Sequence, residues 1–340
     1  MRRRLFLMGV AGAAGCSRAR ERRLYVYNWS FYIAKETVPR FERETGVEVR
    51  YRTFESAEEM LAKVSAGNSG WDIVIPSNAF VAPMREQGLL APLDHARLPN
   101  LGNLEDRFRD PAWDPGLGYS IPYMYGATGI LYNRSVRPEP RGWADFWQDR
   151  YGRRVTMMDD PSEVFAAALK RAGHSVNSDA AGEIDEAKRD LIAAKPLLRA
   201  FISADVRDQV VAGDVLMAQI WAQMGRLAVN ERRDLGFAYP AEGFALYCDN
   251  VVILRESREP ELAHRFLDYL LRPDVSAEIA QAVTTATPNA AARRLLPVEA
   301  REDPILYPPP DVAARGEWYR SLPAAGQRLR DRAWTEIKSS

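Results

Sequence analysis

The sequence has 340 residues, 46 Lys plus Arg against 46 Asp plus Glu, and a formal net charge of zero. That balance excludes a nucleic-acid binder that relies on a basic face, and it excludes an acidic tail protein. With 46% hydrophobic and 27% charged residues the chain is globular, and its length favours about two domains. The cations are 40 arginines and 6 lysines. Because the arginines scatter among carboxylates, their excess reads as coding bias rather than as a phosphate site. Two cysteines in unlike contexts, Cys16 and Cys248, exclude a disulfide framework. His95, His174 and His264 lie far apart without a second ligand at metal spacing, so neither a metal nor a cofactor is expected.

The chain opens with three arginines in its first four residues, followed by an uncharged run over 5–15 that ends at Cys16. At ~1.5 Å per residue this run covers about half of a ~30 Å hydrocarbon core, so it reads as the apolar region of a signal peptide, not a membrane anchor. Ala13-Ala14-Gly15-Cys16 resembles a lipoprotein cleavage box in which Cys16 becomes the lipidated first residue. Ordinary secretory cleavage near Ala14 is the alternative, and Arg3-Arg4-Leu5-Phe6-Leu7 also looks like a twin-arginine signal. Each route carries the mature protein out of the cytoplasm. No later stretch is apolar enough to span a membrane.

In chain order, residues 24–27 read as a short strand and 34–45 as a helix closed by Gly46. Residues 47–51 alternate with period two. Ser56-Ala57-Glu58-Glu59 is a capping box opening a helix with Met60, Leu61 and Val64 on one face. Residues 72–76 then form a strand buried on both faces. Strand, helix, strand, helix, strand argues for a parallel sheet with covering helices. The stretch 92–122 is irregular. A second α/β set takes up strands at 127–132 and 155–158, a helix over 161–172, and a strand over 215–221. A strand at 250–254 precedes a helix over 259–271 with Leu262, Phe266, Leu267 and Leu270 inward. Two α/β units of similar size predict two lobes with a cleft between them.

In open sheets the ligand crevice lies beyond the strand ends. There the chain places Trp29, Ser30 and Tyr32, then Ser77, then Asp160 and Glu163, then Trp221, and finally Tyr247 and Asp249. Aromatics mixed with carboxylates suit an elongated apolar cation, whose methylenes want indole and phenol faces and whose ammonium ends want carboxylates. Plainer readings stand beside this one. Trp29 and Trp221 fit a core equally well, and Asp160-Pro161-Ser162-Glu163 is a helix-capping arrangement. Cys248 reads as a small buried residue with no base to activate it.

These residues are similar to a known family, the periplasmic solute-binding proteins of bacterial spermidine/putrescine ABC transporters. The likeness runs through Tyr27-Asn28-Trp29-Ser30-x-Tyr32, Tyr51-x-x-Phe54-Glu55-Ser56, Trp71-Asp72-Ile73-Val74-Ile75-Pro76-Ser77 and Ile121-Pro122-Tyr123-x-Tyr125-Gly126-Ala127-Thr128. It continues through Asp159-Asp160-x-x-Glu163-Val164-Phe165, Leu270-Leu271-Arg272-Pro273-Asp274-Val275, Ala286-Thr287-Pro288-Asn289 and Gly316-Glu317-Trp318.

The resemblance implies an α/β, type II periplasmic-binding-protein fold whose two lobes are joined by hinge crossings near Ala127 and Tyr247, with a late return to the second lobe after about Leu295. One lobe would take 16–126 plus 247–294, the other 127–246 plus 295–340, after a signal peptide over 1–15. It further implies that Trp29, Tyr32, Trp221 and Tyr247 wall a methylene chain, that Ser30 and Ser77 lend polar contacts, and that Asp160, Glu163 and Asp249 hold amines. Tyr247 stands where a tryptophan is common. Ala79 and Thr285 stand where tyrosines are frequent, and Tyr319 where a glutamine can reach the ligand; these departures bear on ligand length and affinity. The expected protein is an extracytoplasmic, lipid-anchored monomer that binds a polyamine, putrescine or spermidine, and delivers it to an inner-membrane ABC permease, with no nucleic acid and no enzymatic activity. A carboxylate-dependent extracellular hydrolase, or the same fold with another cationic ligand, are the alternatives.

Overall fold

The computed structural model describes residues 22–203 and 205–340. The expected signal peptide and Cys16 lie outside the described residues. Chain order begins with β1 (Arg23–Trp29), α1 (Thr37–Thr45), β2 (Glu48–Phe54), α2 (Ala57–Ser65), β3 (Ile73–Val74) and α3 (Asn78–Glu86). After several short 3₁₀ turns come β4 (Ser120–Asn133), β5 (Val155–Met157), α4 (Pro161–Arg171), α5 (Ala181–Ala194), β6 (Ala200–Phe201), α6 (Val206–Ala212), β7 (Met217–Trp221), α7 (Ala222–Glu231) and β8 (Leu235–Ala238). The chain ends through β9 (Phe244–Ile253), α8 (Pro260–Leu270), α9 (Pro273–Val283), α10 (Ala290–Leu295), the single turns α11 (Val298–Arg301) and α12 (Pro310–Ala313), β10 (Gly316–Trp318) and α13 (Ala324–Ser339).

Local chemistry sets these boundaries. Gly46 closes α1 at φ +69°, its N–H donating to Glu42 O at 2.8 Å, as the sequence predicts. The helix starts at Thr37 rather than at residue 34. Pro39 has no N–H to give, so it is tolerated only in a first turn, where that donor would be unpaired anyway. Ser56 caps α2 by accepting the Glu59 N–H at 3.1 Å. The buried Asp72 carboxylate accepts from Tyr25 N, Ser257 Oγ and Arg258 N, locking the start of β3 to β1 and to the segment after β9.

The strands run in the order β2-β1-β3-β9-β4-β7-β5-β6, with β10 added to β9 and β8 to β4. The β1–β2, β1–β3, β5–β6 and β5–β7 pairs are parallel, as expected from the alternating pattern. The two long middle strands are antiparallel to each other and to their outer neighbours. They cross from one α/β lobe to the other. The first lobe packs Leu24, Val26, Phe41, Ile73 and Phe266 on one sheet face, and Tyr27, Phe54, Met60, Val74 and Val81 on the other. The second packs Ile130, Val155, Phe165 and Leu191 against Ala333 and Ile337 on one face, and Leu131, Val210, Ala218 and Ile220 on the other. Each lobe is therefore a sheet with helices on both faces, and the crossing ribbon β4/β9 is the floor between them. Among the described residues no helix is long and apolar enough to cross a membrane.

The sequence expectation that Tyr247, Cys248 and Asp249 precede a strand at 250–254 is corrected by β9, which starts at Phe244. Likewise β4 starts at Ser120, inside the stretch that reads as irregular. In β9 the polar Asp249 interrupts the apolar run, and in β4 Pro122 and Gly126 do.

Candidate functional site

Side chains alternate across a strand, so Tyr247 and Asp249 share the cleft face of β9 while Cys248 points to the other side. Cys248 lies buried there with Phe108, Tyr125 and Ala280, and burial pushes its thiol well above the ordinary range. On β4, Gly126 is paired with Tyr247 and Thr128 with Trp221 of β7. A Cβ at Gly126 would meet the Tyr247 hydroxyl at 2.4 Å, so the missing side chain is what leaves room for that phenol. A bulge between Pro122 and Met124 displaces Tyr123, whose hydroxyl donates to Tyr32 O at 2.8 Å.

Around Asp249 the protein gathers Tyr32, Trp29 and Ser77. The Tyr32 hydroxyl donates to Asp249 Oδ2 at 2.8 Å. The indole of Trp29 packs on Phe54 with centroids 4.4 Å apart; its Nε1 is buried without a hydrogen-bond partner among the described residues. Ser77 forms a backbone bridge with Asp249 itself. Phe31 adopts the left-handed region at φ +56° and stands exposed, which turns Tyr32 inward. Burial pushes the Asp249 carboxyl up to about 7, against the opposing help of Tyr32 and Trp29.

The second cluster forms at the N-terminus of α4. Asp160 caps the helix, its Oδ1 accepting from Ser162 N at 2.8 Å and from Glu163 N at 3.3 Å. No hydrogen bond from the described residues reaches its Oδ2. Capping therefore occupies one oxygen of Asp160 and leaves the other available. Glu163 is 4% exposed, accepts from Trp221 Nε1 at 3.0 Å through Oε1, and leaves Oε2 unpartnered. Gln219 fixes the turn beneath it by donating to the Glu163 carbonyl at 2.7 Å. Tyr319 arrives on the strand end after β10, held by its N–H to Leu246 O. Burial first, and the charge of Asp160 second, push Glu163 up to about 7; the neighbouring Thr128, Trp221 and Tyr319 donors oppose the rise. Asp160 is raised as well, chiefly by burial.

Tyr247 lies between the clusters, its phenol raised by burial and by the charges of both Asp249 and Glu163. Among the described residues, Asp160, Glu163 and Asp249 form no ion pair. The structure thus brings together Trp29, Tyr32, Ser77, Tyr247 and Asp249 on one side and Asp160, Glu163, Trp221 and Tyr319 on the other. It does not draw Ser30 or Thr285 into either cluster by a hydrogen bond. The Ser30 hydroxyl donates to Glu55, and Thr285 is buried with its N–H on Ala280 O.

Three residues of the site are not among the sequence candidates for ligand contact. Thr128 and Tyr123 become visible only once β4 is paired with its neighbours. Asn78 accepts from Cys248 N at 3.0 Å and donates to Tyr319 O at 2.6 Å, tying β9 to the strand end that carries Tyr319. A polar residue opening a helix after a strand was the available signal for it.

Two helix-covered lobes on a two-strand crossing, with aromatics and uncompensated buried carboxyls facing the gap, define a ligand-capturing protein of the type II periplasmic-binding fold. The chain belongs to the bacterial extracellular solute-binding protein family, whose profile matches residues 36–308. Among its relatives, the putrescine/cadaverine-binding protein of Pseudomonas aeruginosa is 34% identical over 99% of both chains. The spermidine/putrescine-binding periplasmic protein of Escherichia coli is 35% identical over 89% of this chain and 88% of its own. Among solved structures, the spermidine/putrescine ABC transporter substrate-binding protein PotD of Streptococcus pneumoniae superposes with a TM-score of 0.84 at 29% identity, covering 94% of this chain and 99% of that one.

Proposed function

We propose that this protein captures a polyamine of the putrescine or spermidine class in the cell envelope and delivers it to an ABC permease. The observation that carries the reading is that three carboxyl groups are placed in a buried, aromatic-walled cleft and form no ion pair among the described residues. Two of them, Asp249 and Glu163, are pushed up to about 7 by burial, a cost the ligand-free protein bears and an ammonium would relieve. Four buried methylenes at ~0.8 kcal/mol each and cation–π contacts at ~0.5–2 kcal/mol supply part of the ~8 kcal/mol that micromolar binding needs. Charge-assisted hydrogen bonds at ~1.5–3 kcal/mol supply the rest after ordering costs. An uncharged sugar would leave the carboxyls uncompensated. The hydrolase alternative receives no support from the relatives, which are binding proteins.

In this reading Trp29, Tyr32, Trp221 and Tyr247 wall the methylene chain, while Asp160, Glu163 and Asp249 hold the amines. The lobe division at 126/127, 246/247 and 294/295 is kept as part of the proposal, supported at the first two points by the crossing of β4 and β9. The protein works as a monomer anchored by a lipid on Cys16. Replacing Cys16 by alanine should then release the protein from the membrane fraction while leaving ligand affinity unchanged. A Cys16→Ala protein still carrying incorporated fatty acid would refute the anchor.

The test of the site is Asp160→Asn, titrated calorimetrically with a panel of di- and triamines. Asparagine offers the same Oδ1 to the Ser162 and Glu163 N–H groups, so the ligand-free variant should melt near wild type. Removing the charge should weaken binding by ~1.5–3 kcal/mol, roughly 10- to 150-fold. Unchanged affinity would reduce Asp160 to a helix cap.

A further inference from the structure

The two lobes also touch outside the residues assigned to the ligand. The cleft is shut in this structure: Glu163 of the second lobe and Tyr32 of the first are 4% and 7% exposed, and the charge of Glu58 on α2 is felt by Asp160 on α4. Helix α7 belongs to the second lobe, where Ala228 packs with Leu131, Ile220 and Leu235, and it begins directly after the cleft-wall residue Trp221. Gln223 and Arg226 lie on one face of that helix. Gln223 Nε2 donates to Val283 O at 2.8 Å, a carbonyl in the last turn of α9 with no donor inside its own helix. Arg226 Nε pairs with Oδ2 of the buried Asp303, and the Tyr239 hydroxyl donates to Ile305 O. This stretch rides with the first lobe, because Leu306 and Tyr307 pack with Phe108 and with Ala277 and Ala280 of α9. A cavity of about 290 Å³ lined by Arg226, Val298, Glu299, Glu302 and Ile305 lies beside the ion pair, so the two sides meet there through polar bonds rather than a packed core. Such bonds can part and be taken up by water.

We infer that Arg226, Asp303 and Gln223 form a latch that holds the lobes closed, as positioning residues that set ligand affinity and residence time without touching the ligand. The inference rests on the polyamine-capture reading for its ligand and adds what holds the closed state. The two Asp303 oxygens divide the work: Oδ1 accepts from Ile305 N at 2.8 Å and shapes its own turn, while Oδ2 takes the guanidinium. Opening carries α7 away from α9 about the β4/β9 ribbon and breaks the ion pair together with the Gln223 bond, so the closed state alone gains them. A contact made in one state only shifts the equilibrium toward that state. Apparent affinity scales with the population of the binding-competent state, so the latch tightens every ligand the closed cleft accepts by the same factor. The factor falls on release, since the ligand leaves only after the latch parts.

The experiment measures association and release rates of 1,4-diaminobutane, 1,5-diaminopentane and spermidine by stopped-flow tryptophan fluorescence. The mature protein is compared with Asp303→Asn, Arg226→Met, Arg226→Lys and Gln223→Ala. Asparagine keeps the acceptor for Ile305 N and removes only the charge, and melting temperature reports that each variant folds. Asp303→Asn and Arg226→Met should each speed release about 5- to 10-fold, by one factor for all three amines and with association unchanged. The double variant should release no faster than the single ones, Arg226→Lys should recover most of the loss, and Gln223→Ala should speed release about 3-fold. Unchanged release from Asp303→Asn and Arg226→Met would overturn the latch and leave the polyamine reading standing. So would slower release, which would place the contact in the open state, or a loss that differs among the three amines, which would make these residues ligand contacts. Absence of binding by wild type to all three amines would overturn that reading and the latch with it.

Discussion

Replacing Asp249 by asparagine should make the ligand-free protein more stable above pH 7 and nearly unable to hold its ligand. The carboxyl is buried, receives among the described residues only the Tyr32 hydroxyl as a formed hydrogen bond, and is raised by burial from 3.8 to about 7. In the unfolded chain the same group ionises near pH 4. Because the folded-state value is the higher one, the folded protein binds the proton more tightly, and stability falls as pH rises between about 4 and 7. The full cost is present above 7 and absent below about 4. At ~1.36 kcal/mol per pKa unit the burden is on the order of 4 kcal/mol, and an amide that keeps the acceptor for Tyr32 but buries an NH₂ recovers on the order of 1–3 kcal/mol of it.

At pH 8 this should appear as a rise of about 2–4 °C in Tm per kcal/mol for domains of this size, shrinking to nothing near pH 4. Affinity should move the other way. Removing one member of a buried charge pair costs ~2–5 kcal/mol, about 30-fold or more in Kd. Thermal melts at pH 8 and pH 4 together with calorimetry check both arms. A variant that melts lower than wild type at pH 8 would make Asp249 a structural residue, and unchanged affinity would remove it from the site.

The same tension explains what the sequence does and does not disclose. The capping arrangement at Asp160 is local, and the structure reproduces it with both backbone donors on one oxygen. Helices with strong apolar contrast, such as α8 with Leu262, Phe266, Leu267 and Leu270 buried, are legible from spacing alone. Helix α5 buries Ile184, Ala187, Leu191 and Ala194 at helical spacing, but half of that face is alanine, and the pattern has little contrast. The crossing strands are hidden for a functional reason. Tyr247 and Asp249 sit where a period-two apolar pattern would otherwise continue in β9, and Gly126, whose missing side chain makes room for Tyr247, together with Pro122 breaks the pattern in the first half of β4, so residues that shape the cleft floor are those that make the two strands hard to recognise. Thr128 and Asn78 acquire meaning only through partners 93 positions away in the first case and 170 and 241 in the second, which no local window contains.

If Glu163 and Asp249 hold the amines as proposed, ligand affinity should depend steeply on pH, because burial raises both carboxyls toward neutrality. Glu163 and Asp249 are each pushed up to about 7, chiefly by burial, and the charge of Asp160 contributes to the first. An alkyl ammonium stays charged far above that range, so below 7 the ligand must expel protons from the carboxyls before it can pair with them. Asp160 and Glu163 titrate as a pair, and the proton they lose belongs to the pair. For each site with a value near 7 the ionised fraction changes about 10-fold between pH 6 and pH 8, so two such sites give about 100-fold in Kd, with a plateau above pH 8. At pH 7 binding should release about one proton per ligand in total, measurable by calorimetry in buffers of different ionisation enthalpy. Asp249→Asn and Glu163→Gln should each halve both the slope and the proton release while weakening binding overall. A Kd that stays flat from pH 6 to pH 8, with no buffer dependence of the heat, would mean either that these carboxyls are already ionised in the ligand-free cleft or that the amines are held by other groups.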